Sequence, residues 1–182
     1  MEKVKEDILA CKKCSLYKER NIPVIGQGNH NAKIIFIGEA PGAKEDASGV
    51  PFCGRSGNFL NELLDHIGLK REDVYITNIV KCRPPKNRDP KDSEIECCKN
   101  YIKRQIEIIN PKVICSLGRH SMNFIMNNLG IENKETISNL HGKVFKGKYI
   151  FIPLYHPAVA IYNSSKKGEL KKDFEIIKKY VD

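Results

Sequence analysis

The chain alternates short, continuous apolar runs with longer amphipathic stretches, and this alternation predicts an α/β fold. Apolar runs that are rich in β-branched and aromatic residues are typical of strands buried on both faces, as in parallel sheets. The predicted strands are residues 34–37, 74–80, 111–117 and 149–154. The predicted helices are residues 1–9, 58–67 and 92–109, a stretch from 119 to about 130, and residues 168–180. We interpret residues 21–31, 137–144 and 158–165 as loops or irregular segments.

The first predicted strand ends in a tight turn that carries acidic residues. Gly42 can adopt a positive φ, and Pro41 fixes its own φ and removes a donor. In open α/β sheets, ligands bind at the carboxyl ends of the strands. Because this turn carries Glu39, Glu45 and Asp46, it favours acid–base chemistry or a polar pocket over phosphate binding.

Further candidate binding residues follow or end the other predicted strands. Phe52 lies among glycines, either as a core residue or as a ring presented for stacking. Asn78 either ties a loop or offers a donor and an acceptor to the edge of a nucleobase. His156 either caps the next helix or takes part in chemistry. Since the carboxyl ends of parallel strands lie at one edge, we expect these residues, Glu39 and Glu45 to surround one pocket.

Composition and charge limit the number of domains, the kind of partner and the cellular location that we expect. A chain of 182 residues with 41% apolar and 29% charged residues is typical of a single globular domain. The net charge of +9 favours a polyanionic partner such as nucleic acid, although a lysine-rich solvated surface explains it equally well. No apolar stretch approaches the roughly 20 residues of a membrane span, and residues 1–14 lack the core of a signal peptide. We therefore expect a cytoplasmic protein with no membrane partner.

The seven cysteines point first to a metal site, because disulfides are disfavoured inside cells. Cys11 and Cys14 have the C-x-x-C spacing that lets two thiolates bind one metal centre. A redox dithiol is the alternative, but such a motif normally follows a strand. Cys82 lies in a basic, proline-rich loop. Cys97 and Cys98 are helix neighbours that point about 100° apart, so normally only one of them shares a site with Cys82.

Four motifs, in this order, carry a resemblance to a known family: GEAPGAKED, GVPFCGRSG, TNIVKCRPPKNRDP and YHPAVAIYN. With the cysteine spacing, they resemble the family 4 uracil-DNA glycosylases, which are iron–sulfur enzymes of archaea and bacteria. The similarity runs from residue 11 to about residue 174. It implies that residues 1–182 form one domain, a three-layer αβα architecture around a four-stranded parallel sheet. The implied reaction flips deoxyuridine out of DNA and hydrolyses its N-glycosidic bond, which releases uracil and leaves an abasic site.

The resemblance also implies roles for the pocket residues. Phe52 would stack on uracil, Asn78 would pair with its N3–H and O4, and the backbone at Ala40 would complete the pocket. His156 would stabilise the negative charge that develops on O2. Either of the two glutamates at positions 39 and 45 would orient or deprotonate the attacking water. The glutamate at position 45 would alternatively wall off C5 and exclude the methyl group of thymine.

The implied cofactor is a [4Fe–4S] cluster that joins the N-terminal segment to the region 82–98. Its ligands would be Cys11, Cys14, Cys82 and Cys98, with Cys97 as the alternative fourth ligand. The implied partner is uracil-containing DNA, single- or double-stranded, and a sliding clamp is a further candidate partner. We expect a monomer. The DNA-binding residues would be Arg55, Lys81, Arg83, Lys86 and Arg88, with Ile161 or Tyr162 as a wedge in the vacated base stack.

Three alternative functions fit parts of the sequence. A nucleic-acid-binding module with a structural zinc would keep the basic charge and the cysteines but give Asn78 and His156 only structural roles. An iron–sulfur electron carrier would leave the pocket residues unexplained. A relative of this family would remove other deaminated bases or trap uracil covalently. The covalent relatives carry a histidine-containing loop after the PF motif, and the short, histidine-free segment 54–57 argues against trapping.

Overall fold

The computed structural model describes residues 1–180, and it confirms an α/β fold with helices on both faces of one sheet. The strands are β1 (Gln27–Gly28), β2 (Ile34–Gly38), β3 (Tyr75–Asn78), β4 (Val113–Leu117), β5 (Phe145–Lys146) and β6 (Ile150–Leu154). The α-helices are α1 (Glu2–Leu9), α2 (Ala43–Ser48), α3 (Arg55–His66), α4 (Asp92–Ile109), α5 (Arg119–Leu129), α6 (Ile137–Leu140), α7 (Ala158–Tyr162) and α8 (Lys166–Lys178). Two 3₁₀ helices span Ser15–Lys18 and Pro85–Asn87.

The sheet has the strand order β1-β3-β2-β4-β6-β5. Its four central strands are parallel, which confirms the predicted four-stranded core. The two outer strands are antiparallel to their neighbours and extend the sheet at both edges. The sequence did not predict these edge strands, because a two-residue pairing leaves no periodic pattern.

The core forms two clusters, one on each face of the sheet. Ile35 and Ile37 of β2 face the cluster built with α1, α4 and α5. Ile34 and Phe36 face the cluster built with α3 and α8, where the ring of Phe36 stacks on that of Phe174 at 5.5 Å. This alternation with period two is the geometry of a strand buried on both faces. No helix within residues 1–180 combines the length and the apolar character that crossing a bilayer requires.

The predicted helix boundaries hold best where the apolar pattern is long. The helix α4 has the predicted bounds, whereas α3 begins three residues earlier than predicted. The first turn of α3 is Arg55-Ser56-Gly57, which carries no apolar pattern. The short helices α6 and α7 lie in segments that we predicted to be irregular, because one or two turns are too short to show a 3.6-residue period.

The connections of the central strands place a switch point next to the first acidic turn. The chain passes from β2 to β3 on one side and then crosses to β4 on the other side. The carboxyl ends of β2 and β4 therefore send their loops in opposite directions, which opens a crevice typical of ligand sites. The end of β3 lies beside it, because Gly38 and Asn78 are register partners.

Candidate active site

A cleft of about 790 Å³ opens at this carboxyl edge, within the range of about 300–1,000 Å³ that is common for small-molecule sites. The loops after β2, β3 and β6 and the segment before α3 line it. The structure brings together in its walls all the residues that we predicted to surround a pocket: Glu39, Ala40, Glu45, Phe52, Asn78 and His156.

Phe52 is held over the floor of the cleft in a backbone conformation that bulky residues seldom adopt, with φ at 51°. Its ring centroid lies 5.6 Å from that of His156, and the two ring planes meet at 30°. A Cβ atom built on Gly38 would lie 2.8 Å from Cζ of Phe52 and 2.3 Å from Oδ1 of Asn78. A side chain at position 38 would therefore occupy the space between the ring and the amide.

Asn78 presents an unpaired donor. The residue ends β3 and is only 1% exposed, and among the described residues its Nδ2 atom has no hydrogen-bond partner. An unsatisfied buried donor costs about 1–3 kcal/mol. Because the residue lines the cleft, the unpaired donor indicates a site for a ligand atom that accepts hydrogen bonds.

His156 follows β6, and its imidazole is neutral at neutral pH because burial lowers its pKa to about 4. Its Nδ1 atom accepts a hydrogen bond of 3.1 Å from the backbone N–H of Ala158, in the first turn of α7. This bond assigns the proton to Nε2, which remains a donor. The two roles that we weighed for His156 are thus compatible, since the helix contact uses one ring nitrogen and leaves the other.

Glu45 uses both carboxylate oxygens to hold the backbone of the site. Oε1 accepts a hydrogen bond of 2.5 Å from the N–H of Phe52, and Oε2 accepts one of 2.7 Å from the N–H of Gly42. A carboxylate engaged in this way has less capacity left to orient a water molecule. The geometry therefore favours a positioning role for Glu45 over the activation of water.

Glu39 is the freer of the two glutamates, and burial raises the pKa of its carboxyl above the usual value. Its Oε2 atom lies 3.9 Å from Nε2 of His120, which lies 3.0 Å from Oδ2 of Asp89. Arg119 borders the same group. Sequence reasoning did not single out His120, although it follows a predicted strand as His156 does.

The structure contradicts the prediction that Lys81 contacts DNA phosphates. Its side chain is 1% exposed, and burial lowers its pKa to about 7. The Nζ atom donates to Oγ1 of Thr77 at 2.7 Å, to the backbone oxygen of Asn78 at 2.6 Å and to Oε1 of Gln105 at 2.7 Å. Lys81 therefore supports the strand beneath the cleft and cannot reach DNA from this position.

The other cations of the basic loop divide into paired and exposed groups. Arg88 makes two hydrogen bonds, of 2.7 and 2.9 Å, to the buried carboxylate of Glu94, so it fastens the loop to the first turn of α4. Arg83 donates to Oδ1 of Asn87 at 2.7 Å. Lys86 is exposed on the same loop. The pairing of Arg88 gives it a structural role that the sequence did not predict.

The mouth of the cleft carries an exposed cation and an exposed aromatic ring. Arg55, at the start of α3, is exposed and lines the cleft. Tyr162, at the end of α7, is 88% exposed and lines the same cleft, while Ile161 is partly buried. The ring of Tyr162 is therefore free to contact a molecule that enters the cleft.

A second, smaller cavity lies where the segment after α1 meets the basic loop and α4. Five cysteines line it: Cys11, Cys14, Cys82, Cys97 and Cys98. All of them are free thiols, and burial raises the pKa values of three, that of Cys98 to about 11. Arg20 donates to Sγ of Cys82 at 3.1 Å. Soft sulfur donors with cations nearby fit a thiolate-bound metal centre.

Cys97 and Cys98 differ in their surroundings. Cys98 is buried, whereas Cys97 is partly exposed and directs its thiol to the backbone oxygen of Lys13 at 3.4 Å. Outside this cavity, Cys115 is a buried residue of β4. Cys53 is exposed, and its thiol contacts the hydroxyl of Ser48 at 3.3 Å.

Comparison with known proteins agrees with this architecture. Residues 25–179 match the model of the uracil DNA glycosylase superfamily. The chain is 47% identical to the type-4 uracil-DNA glycosylase of Sulfurisphaera tokodaii, over 98% of this chain and 83% of that protein. It is 46% identical to the type-4 enzyme of Archaeoglobus fulgidus (97% and 91% covered) and 41% identical to that of Thermotoga maritima (100% and 94% covered). The chain therefore belongs to the uracil-DNA glycosylase superfamily, within its type-4 family.

Proposed function

We propose that this protein excises uracil from DNA, as a monofunctional glycosylase that leaves an abasic site for base excision repair. The observation that carries the proposal is the unpaired Nδ2 donor of Asn78, which is buried in the wall of a cleft that also holds Phe52 and His156. An aromatic face, an amide and a neutral imidazole around one space match the flat shape and the polar edges of a pyrimidine.

Base recognition in this proposal rests on hydrogen-bond complementarity. Uracil presents an acceptor at O4 and a donor at N3–H, which match the Nδ2 donor and the Oδ1 acceptor of Asn78. Cytosine presents the opposite pattern, with an amino group at position 4 and a lone pair on N3. The ring of Phe52 supplies stacking, which is worth about 1–3 kcal/mol for a base on an aromatic side chain.

Bond cleavage in this proposal relies on His156 and Glu39. Water attacks C1′ of the sugar while the N1–C1′ bond breaks, and the bonding electron pair leaves with uracil as its anion. The Nε2–H of His156 donates to O2, where negative charge develops, and a donor of this kind is worth about 3–4 kcal/mol. The carboxylate of Glu39 orients the water, accepts its proton and stabilises the positive charge on the sugar.

DNA binding is assigned to the rim of the cleft. Arg55, Arg83 and Lys86 supply positive charge for phosphates, and the net charge of +9 supports an acidic partner. Tyr162 is our choice for the wedge, because its ring is far more exposed than the side chain of Ile161. The proposed substrate is DNA that contains deoxyuridine, so we expect the protein in the compartment that holds the chromosome. A sliding clamp as a partner and a monomeric state remain predictions.

Cys11, Cys14, Cys82 and Cys98 would hold a [4Fe–4S] cluster. Such a cluster would act structurally, by fastening the segment after α1 to the basic loop and α4 in the one domain that we propose. The spacing of the thiols supports this choice: within residues 1–180, no three cysteine sulfurs lie within 4.8 Å of one another. A single zinc ion with Zn–S bonds of about 2.3 Å would need four sulfurs roughly 3.8 Å apart.

The activity is tested with an oligonucleotide that carries one deoxyuridine, followed by alkali to cleave abasic sites. We expect strand scission with uracil and none with thymine or cytosine at the same position. His156→Ala should lower the single-turnover rate by about 10²-fold or more. His66→Ala is the matched control, because this exposed histidine pairs with Glu175 outside the cleft. Absence of scission by the parent protein would overturn the proposal.

A further inference from the structure

Arg71 lies outside the cleft, and the proposed chemistry does not use it. The residue precedes β3, is partly buried, and directs its guanidinium into the turn that presents the stacking ring. It donates to the backbone oxygens of Phe52, at 3.2 Å, and of Pro51. It also donates to Oδ1 of Asn61 at 3.2 Å and to Oε1 of Gln27 at 3.4 Å. Two of its four acceptors are therefore carbonyl groups of this one turn.

The Phe52 residue that Arg71 contacts needs support from its surroundings. A positive φ is unfavourable for a bulky side chain, so the fold must hold it in place. Glu45 accepts the N–H of Phe52 from one side, while Arg71 donates to its C=O from the other. A Cβ on Gly57 would lie 1.6 Å from the backbone oxygen of Phe52. The first turn of α3 therefore packs directly against this carbonyl group.

We propose that Arg71 is a positioning residue for uracil recognition, which fixes the backbone of Phe52 so that its ring lies over the flipped base. The proposal rests on the proposed glycosylase function and deepens it. Glu45 accepts a hydrogen bond from the N–H of Phe52, and Arg71 donates one to its C=O. The planar guanidinium of arginine suits two neighbouring carbonyl groups. Loss of the guanidinium would let the Phe52 turn relax toward ordinary φ values and move the ring away from the base.

A double-mutant cycle tests this inference. The variants are Arg71→Met, Phe52→Ala and the double variant, each assayed for single-turnover release of uracil under saturating enzyme. Stacking energies predict a loss of about 5- to 150-fold for Phe52→Ala, and we expect a loss of about 10-fold for Arg71→Met. If Arg71 acts through the ring, the double variant loses no more than Phe52→Ala alone. If the two losses multiply, the inference is overturned, as it is if Arg71→Met matches the parent.

Two further measurements separate positioning from general stability. Affinity for DNA with a tetrahydrofuran abasic site, which offers no base to stack, should change less than twofold in Arg71→Met. An equal loss of affinity for abasic and uracil-containing DNA would contradict the inference.

Arg71→Lys keeps the charge but not the planar guanidinium, and its rate of uracil release should lie between those of the parent and Arg71→Met. It replaces Arg71→Met in the cycle if the latter does not fold. An inactive parent would instead refute the proposed function.

Discussion

The carboxylate of Glu45 lies 2.5 Å from the backbone nitrogen of Phe52 and accepts its hydrogen bond. The second carboxylate oxygen accepts the N–H of Gly42, so one side chain joins the acidic turn to the stacking ring. This arrangement supports different roles for the two glutamates of the turn: we propose that Glu45 positions the ring and that Glu39 handles water.

Glu45→Gln and Glu45→Ala should therefore differ in activity. Glutamine keeps one acceptor oxygen, whereas alanine removes the acceptor of two partly buried N–H groups, at a cost of up to about 1–3 kcal/mol each. We expect the alanine variant to lose about 10- to 100-fold in single-turnover rate and to unfold at a lower urea concentration. The glutamine variant should show a smaller loss of rate and a smaller decrease in the urea concentration at which it unfolds. Equal and complete loss of activity in both variants, with stability intact, would instead indicate that Glu45 is the group that activates water.

The rate of uracil release should fall as the pH falls through the pKa of Glu39. The ionised carboxylate is the active form. Burial, and to a smaller extent the charge of Asp89, raise the pKa of Glu39, while His120 and Arg119 oppose this shift. The acid limb of the rate profile should thus lie above the usual glutamate pKa of about 4.3. Glu39→Gln should lower the rate by about 10²-fold and abolish this limb. The measurement is a single-turnover profile in buffers of constant ionic strength, and an unchanged limb in Glu39→Gln would assign it to another group.

The burial of Lys81 predicts that it affects stability and not phosphate binding. Lys81→Met should remove three buried hydrogen bonds and lower the free energy of unfolding by about 1–3 kcal/mol. The slope of log affinity for DNA against log salt concentration should match that of the parent. Lys86→Ala, which removes an exposed cation of the same loop, should reduce that slope by about 1 and leave stability unchanged. A reduced salt slope with unchanged stability in Lys81→Met would instead mean that Lys81 contacts the DNA.

The two neighbouring cysteines of α4 should differ in iron content. Cys98 is buried among the other thiols, whereas Cys97 is directed toward the backbone of Lys13. Cys98→Ser should therefore lose most of the iron, the inorganic sulfide and the brown colour, while Cys97→Ser should retain them, as should Cys53→Ser at an exposed site away from the cavity. Iron analysis and visible absorption measure the cluster content of each variant. A colourless parent protein that contains zinc would refute the proposed cluster.

The sequence predicts those parts of the site that follow from strand ends. Asn78 lies near the carboxyl end of one long apolar run and His156 follows another, and parallel strands bring such ends together whatever the details of packing. By the same rule, His120 was within reach of sequence analysis, because it follows β4 at the same edge.

The roles of Lys81 and Arg71 depend on tertiary contacts that no local pattern contains. Lys81 lies in a basic, proline-rich loop, and its acceptor Gln105 is 24 residues away on α4. Arg71 lies 19 residues from the carbonyl of Phe52 that it contacts. The positive φ of Phe52, which gives both Arg71 and Glu45 their roles, has no signal in the sequence beyond the glycines around it.

The central claim is that Asn78 reads the edge of a flipped uracil, and the single-turnover rate of uracil release by Asn78→Ala tests it most directly. The matched control is Asn128→Ala, which removes an amide from the exposed face of α5, away from the cleft. We predict a loss of about 10²-fold or more for Asn78→Ala and none for Asn128→Ala, with both variants folded. Release of uracil by Asn78→Ala at the rate of the parent would contradict the account.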